Sequence, residues 1–174
     1  MTELLELEPT RKIALEVAAA VNALLPHFNV KEPDPDTAVE HGAGNCFAAA
    51  QLAIEELLER DIEHYFAQQA PKWLVVPGFP HSEVIIPVQD HKVHSLVLDT
   101  PGFRVSKDTS IVREFPRKSR RLPRDRRLLN TGQTVVAWDN APGFGPLRVH
   151  IDTPRVGIEK YKLRTGLTNR GQVA

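Results

Sequence analysis

Residues 41–60 read HGAGNCFAAAQLAIEELLER and contain Cys46, the one cysteine of the 174-residue chain. Beyond the glycine-bearing turn, Phe47, Ala50, Ile54, Leu57 and Leu58 recur at helical spacing. Gln51, Glu55, Glu56 and Glu59 fall on the opposite, polar side. This pattern predicts a helix from about Cys46 to Arg60, with the cysteine at its start. Upstream, TRKIALEVAAAVNALLPHF (10–28) places Ile13, Val17, Val21 and Leu24 at the same spacing and predicts a helix ending near Pro26. The Pro-, Asp- and Gly-rich stretch between them (29–45) reads as a loop.

Downstream the period changes. EHYFAQQ (63–69), KWLVVP (72–77), HSEVIIPV (81–88), VHSLVLDT (93–100), TVVAW (134–138), LRVHI (147–151) and EKYKLRT (159–165) are short runs bounded by turn signals, and they predict strands. Helices followed by strands imply an α+β fold, with the cysteine-bearing helix packed on a mainly antiparallel sheet and an extra N-terminal helix. The length suits a single domain over 1–174, with a helical part at 1–60 and a β-rich part at 61–174.

Composition narrows the class. Charged residues are 25% and hydrophobic residues 41% of the chain, an ordinary globular balance. One cysteine excludes an internal disulfide framework and suits a reducing compartment. The acidic start MTELLELEPT lacks the layout of a secretory signal. No apolar run approaches the roughly 20 residues that span a bilayer. A cytoplasmic location without a membrane partner is the expectation.

The zero net charge conceals an asymmetry. Residues 1–100 carry 6 Lys+Arg against 16 Asp+Glu, and residues 101–174 carry 16 against 6. The two halves should attract each other within one domain. The basic run RKSRRLPRDRR (117–127) could contact phosphates. It lacks interleaved aromatics and a groove-binding helix, so base-specific nucleic-acid recognition is not expected. A solvated loop, or the border of a cleft that selects an acidic substrate, are its other readings.

A thiol attacks as thiolate, and an ordinary cysteine with a pKa of about 8.5 is mostly protonated at neutral pH. A helix start favours negative charge, and its free N–H groups can hold an oxyanion. Buried packing is the competing role for Cys46, and a base decides between them. Among seven histidines, His81 opens the strand-like run HSEVIIPV directly after the turn PGFP. Asp99 closes LVLD before a Pro-Gly turn, where a buried carboxylate needs a partner. Strands joined by QDHK would set Asp99 beside His81, so that the carboxylate orients the imidazole. Singly, His81 could be a polar strand start and Asp99 a turn cap. HKVH spaces His91 and His94 three apart, with His150 elsewhere, a poor zinc set that reads as surface histidines.

GNCFAAAQLA resembles the Gly-x-Cys-aromatic helix start of the transglutaminase-like superfamily, cysteine enzymes of papain-like fold. HSEVIIPV is similar to that family's histidine strand and LVLDTPG to its aspartate strand. The resemblance covers roughly residues 40–103. It implies Cys46 as nucleophile, His81 as general base and acid, and Asp99 as orienting carboxylate. Asn45, Gly44 and Trp73 become candidates for oxyanion or substrate positioning. Ser82 and Glu83 stand where the family commonly has an aromatic, and no tryptophan precedes Cys46. The implied chemistry is acyl transfer or hydrolysis of an amide or isopeptide bond through a thioester. Its substrate would be a peptide, a protein, or a small amide or thioester, with no metal or organic cofactor. The same Cys-His-Asp order also resembles the arylamine N-acetyltransferases. A non-catalytic transglutaminase-like binding module is the alternative outside enzymology.

Overall fold

From Ser82 to Pro87 every residue of the strand His81–Pro87 is buried, on both faces alike. A strand of that kind lies inside a sheet covered on both sides. The computed structural model describes residues 5–24, 44–71, 81–99, 111–116, 127–141 and 145–165. In chain order these form α1 (Leu7–Leu24), α2 (Gly44–Glu59), β1 (Tyr65–Pro71), β2 (His81–Pro87), β3 (Val93–Asp99), β4 (Ile111–Pro116), a single turn α3 (Arg127–Asn130), β5 (Val135–Ala141), β6 (Gly145–Asp152) and α4 (Pro154–Thr165). The six strands make one antiparallel sheet in the order β4-β3-β2-β1-β6-β5. The α+β expectation holds.

Alternation along the strands builds a core on each face. Phe66, Val84, Ile86, Leu96 and Leu98 meet Ala14, Val17 and Val21 of α1 and Phe47, Ala50, Ile54 and Leu57 of α2. Tyr65, Ala67, Ile85, Val97, Ala137, Val149 and Ile151 form the opposite cluster, to which α3 contributes Leu129. Helix α2 ends where Asp61 adopts a left-handed φ of 53°. Ile62 N then bonds to Leu57 O at 3.1 Å and Asp61 N to Leu58 O at 3.1 Å, a Schellman closure whose trailing Ile62 packs back on the core. The β2–β3 turn is tied by Asp90 Oδ1, which accepts from the backbone N–H groups of Lys92 and Val93 at 2.8 Å each.

The last run departs from expectation. EKYKLRT, a strand by its length and flanking turns, is the second half of helix α4. Pro154 suits a first helical turn, Gly157 N bonds to Thr153 O at 2.8 Å, and Glu, Lys, Leu and Arg are strong helix formers. What pins α4 to the sheet is close approach. A Cβ on Gly157 would come within 2.5 Å of Phe66 Cδ1, so only glycine lets the helix lie directly on β1. Lys160 Nζ adds bonds to Asp152 Oδ1 at 2.9 Å and Thr134 Oγ1 at 2.6 Å.

Smaller differences follow. Leu58, expected on the apolar side of α2, is exposed, and alanines 48, 49 and 53 are buried in its place. Strand β4 has no counterpart among the expected strands. KWLVVP and all of the basic run except Arg127, which is exposed at the start of α3, lie outside the described residues. Among the described residues no helix is long and apolar enough to cross a membrane.

Candidate active site

Three residues expected to converge do converge. Cys46 is the third residue of α2, His81 the first of β2 and Asp99 the last of β3. Because β2 and β3 are antiparallel neighbours, the start of one lies beside the end of the other. Glu83 pairs directly with Asp99, and His81 lies two residues further out on the same face. His81 Nε2 hydrogen-bonds Asp99 Oδ1. The imidazole also hydrogen-bonds the Cys46 side chain. Cys46 is 1% exposed and Asp99 4%, so the cluster is largely shielded from water.

Burial works to lower the proton affinity of His81. Hydrogen bonds from the ring to Asp99 and Cys46, with the negative charge of both, overcome it and push the pKa up to about 10. At neutral pH the imidazole is therefore held as imidazolium. The N-terminus of α2 carries the N–H groups that have no partner within a helix, here in the same turn as the sulfur.

Two residues that sequence reasoning passed over complete the cluster. Glu83 is fully buried, and Arg113 of β4 reaches across to it and to Asp99. Arg113 Nη2 lies 2.9 Å from Asp99 Oδ2 and 3.4 Å from Glu83 Oε2, while Gln69 Nε2 donates to Glu83 Oε2 at 3.2 Å. Glu83 has a visible signal in the sequence, a charge on the His81 face of an otherwise apolar strand. Arg113 has none of its own, because the strand-forming residues around it, Ile111, Val112 and Phe115, do not alternate with polar ones. The donor atoms of His81, Glu83 and Asp99 lie within 4.8 Å of one another, a spacing open to a divalent cation. The Arg113 guanidinium already bridges the two carboxylates and performs the charge compensation a cation would provide.

Of the other residues singled out in the sequence, two share the helical turn of Cys46. Gly44 begins α2 and Asn45 follows it, both in the helix's first turn. Trp73 lies outside the described residues. His91 is exposed, and His94 on β3 and His150 on β6 are separated by two intervening strands, so they make no common site. Comparison of the chain with protein-family models, with curated proteins and with solved structures gives no match.

A second buried histidine sets the opposite pH response. His64 donates from Nδ1 to Ile62 O at 2.6 Å, and burial holds its pKa below the usual value despite that bond. A histidine with a lowered folded pKa removes stability as pH falls below the unfolded value of about 6.5. One with a raised folded pKa contributes stability that is complete below about 6.5 and lost as pH climbs through the folded value. Stability should thus decline from pH 7 to pH 10 as His81 loses its proton. Thermal denaturation across that window should show a shallower decline in His81→Ala. Equal slopes in the two proteins would rule out His81 as the source.

Proposed function

We propose that the chain is a transglutaminase-like cysteine enzyme that transfers an acyl group from an amide or isopeptide bond to water, with transfer to a second amine as the other outcome. The supporting observation is the double engagement of the His81 ring, by Asp99 Oδ1 on one side and Cys46 on the other. With its proton on His81, the sulfur attacks the carbonyl carbon and a C–S bond forms. The carbonyl π pair moves to oxygen, where N–H groups at the start of α2 can hold it. As the intermediate collapses the C–N bond breaks, and the departing amine takes the proton from His81. Water then attacks the thioester and gives a proton to His81. The C–S bond breaks, and the acid leaves. Asp99 keeps the ring oriented and compensates its charge throughout.

The deep burial of Cys46 makes access to the sulfur the point to test. The native chain should be incubated with a panel of peptide electrophiles and read by intact-mass spectrometry. A single adduct on Cys46, formed with a preference among peptides and slowed at least tenfold in Asp99→Ala, is the expected result. Adducts only after denaturation would return Cys46 to packing and leave a binding module as the better description.

A further inference from the structure

Both oxygens of the Asp99 carboxylate are engaged, and the second belongs to Arg113. Oδ1 meets His81, and Oδ2 meets Arg113 Nη2 at 2.9 Å. The guanidinium is itself held from two other directions. Glu83 Oε2 lies 3.4 Å from the same Nη2, and the Phe115 ring lies under the guanidinium carbon with its centroid 5.4 Å away. Glu83 is fixed in turn by Gln69 of β1. Arg113 Nε is buried and makes no hydrogen bond among the described residues, a cost the fold sustains to keep the group where it is. Register explains the convergence, since Val97 pairs with Arg113, Asp99 with Ile111 and Glu83 with Asp99, which puts all four polar side chains on one face across β2, β3 and β4.

We propose that Arg113 is a positioning residue, clamped between Glu83 and Phe115, that locks the Asp99 carboxylate in the orientation that engages His81. It acts through Asp99 and does not touch the sulfur. The inference deepens the acyl-transfer reading and rests on it for its consequence in catalysis, although the orientation of Asp99 can be tested without any substrate. A loosened Asp99 would turn towards solvent, leaving the imidazole less firmly protonated and the thiol slower to react.

The opposing effects have opposite signs, which makes the test decisive. The charged groups facing His81 among the described residues are Cys46 from α2, Glu83 from its own strand, Asp99 from β3 and Arg113 from β4. If Arg113 were only a nearby positive charge, removing it would ease protonation of His81 and raise its titration midpoint. If Arg113 positions Asp99, its removal lowers the midpoint. The full chain with 13C-labelled histidine should be titrated by NMR from pH 6 to pH 11, with His81→Ala used to assign the ring signal. In Arg113→Gln the midpoint should fall by about 1 pH unit or more, and Arg113→Lys should recover part of the loss. Phe115→Leu changes no charge and should lower the midpoint by a smaller step. It carries the test if Arg113→Gln fails to fold. A midpoint that rises or stays put in Arg113→Gln, or that stays put in Phe115→Leu, overturns the proposal. Iodoacetamide labelling of Cys46 in the same samples reports separately on acyl transfer. A wild-type thiol that reacts only when denatured defeats that function, while the titration alone decides whether Arg113 positions Asp99.

Discussion

Replacing His81 with alanine should slow alkylation of Cys46 by iodoacetamide at pH 7 by about 10- to 100-fold. An unassisted thiol is only a few per cent thiolate at neutral pH, so a cysteine deprived of its cationic neighbour loses most of its reactive form. In the wild type the imidazolium persists until pH approaches its pKa of about 10, so its positive charge faces the sulfur from pH 6 to pH 9. In His81→Ala that charge is gone, and the rate should be lower throughout that interval. The variant leaves Asp99 paired with Arg113, which keeps a buried carboxylate from being stranded and protects the fold. Pseudo-first-order labelling followed by mass spectrometry measures the difference. Wild type and His81→Ala reacting at one rate with one pH profile would mean that ring and sulfur do not communicate.

Removal of the Phe66 ring should cost about 3–5 kcal/mol of stability, the largest loss expected from any single truncation here. Phe66 has no exposed surface and sits on β1, between β2 and β6 in the sheet. Its ring meets Phe47 edge-on with centroids 6.3 Å apart, and α4 rests against it through Gly157. One side chain therefore joins the sheet, the helix that carries Cys46 and the C-terminal helix. No neighbour can fill the space, because the helix backbone at Gly157 has no side chain to offer. For a chain of this size the loss corresponds to a Tm lower by about 6–20 °C. Thermal and denaturant unfolding of Phe66→Ala would show it, and a loss below about 1 kcal/mol would mean that the three elements stand independently.

Much of the fold can be read along the chain because local pattern and tertiary role agree. The 3.6-residue spacing of Ile13, Val17 and Val21, and of Phe47, Ala50, Ile54 and Leu57, marks both long helices, and Val17, Val21 and Leu57 are indeed without exposed surface. The β2–β3 hairpin is visible in two apolar runs flanking Asp90, whose side chain ties the turn. Pattern fails where two signals compete. EKYKLRT has a strand's short length and a helix's composition, and contact between Gly157 and Phe66 settles the matter beyond the reach of a local window. Strand β4 is short, has no fully buried residue and carries Arg113 and Glu114 side by side, so its membership of the sheet comes from pairing with β3 and not from hydrophobic alternation.

The candidate site divides along the same line. Chain order alone singles out a thiol at a helix start, a histidine opening one strand and an aspartate closing the next, because element ends are where polar chemistry escapes the alternation of a core. That an imidazole joins sulfur to carboxylate depends on the hairpin register and on how α2 lies against the sheet, which are long-range pairings. Glu83 and Arg113 join the site only through the tertiary structure. A charge inside a strand shows in one dimension that it needs a partner, but the partner is chosen by which strands lie side by side.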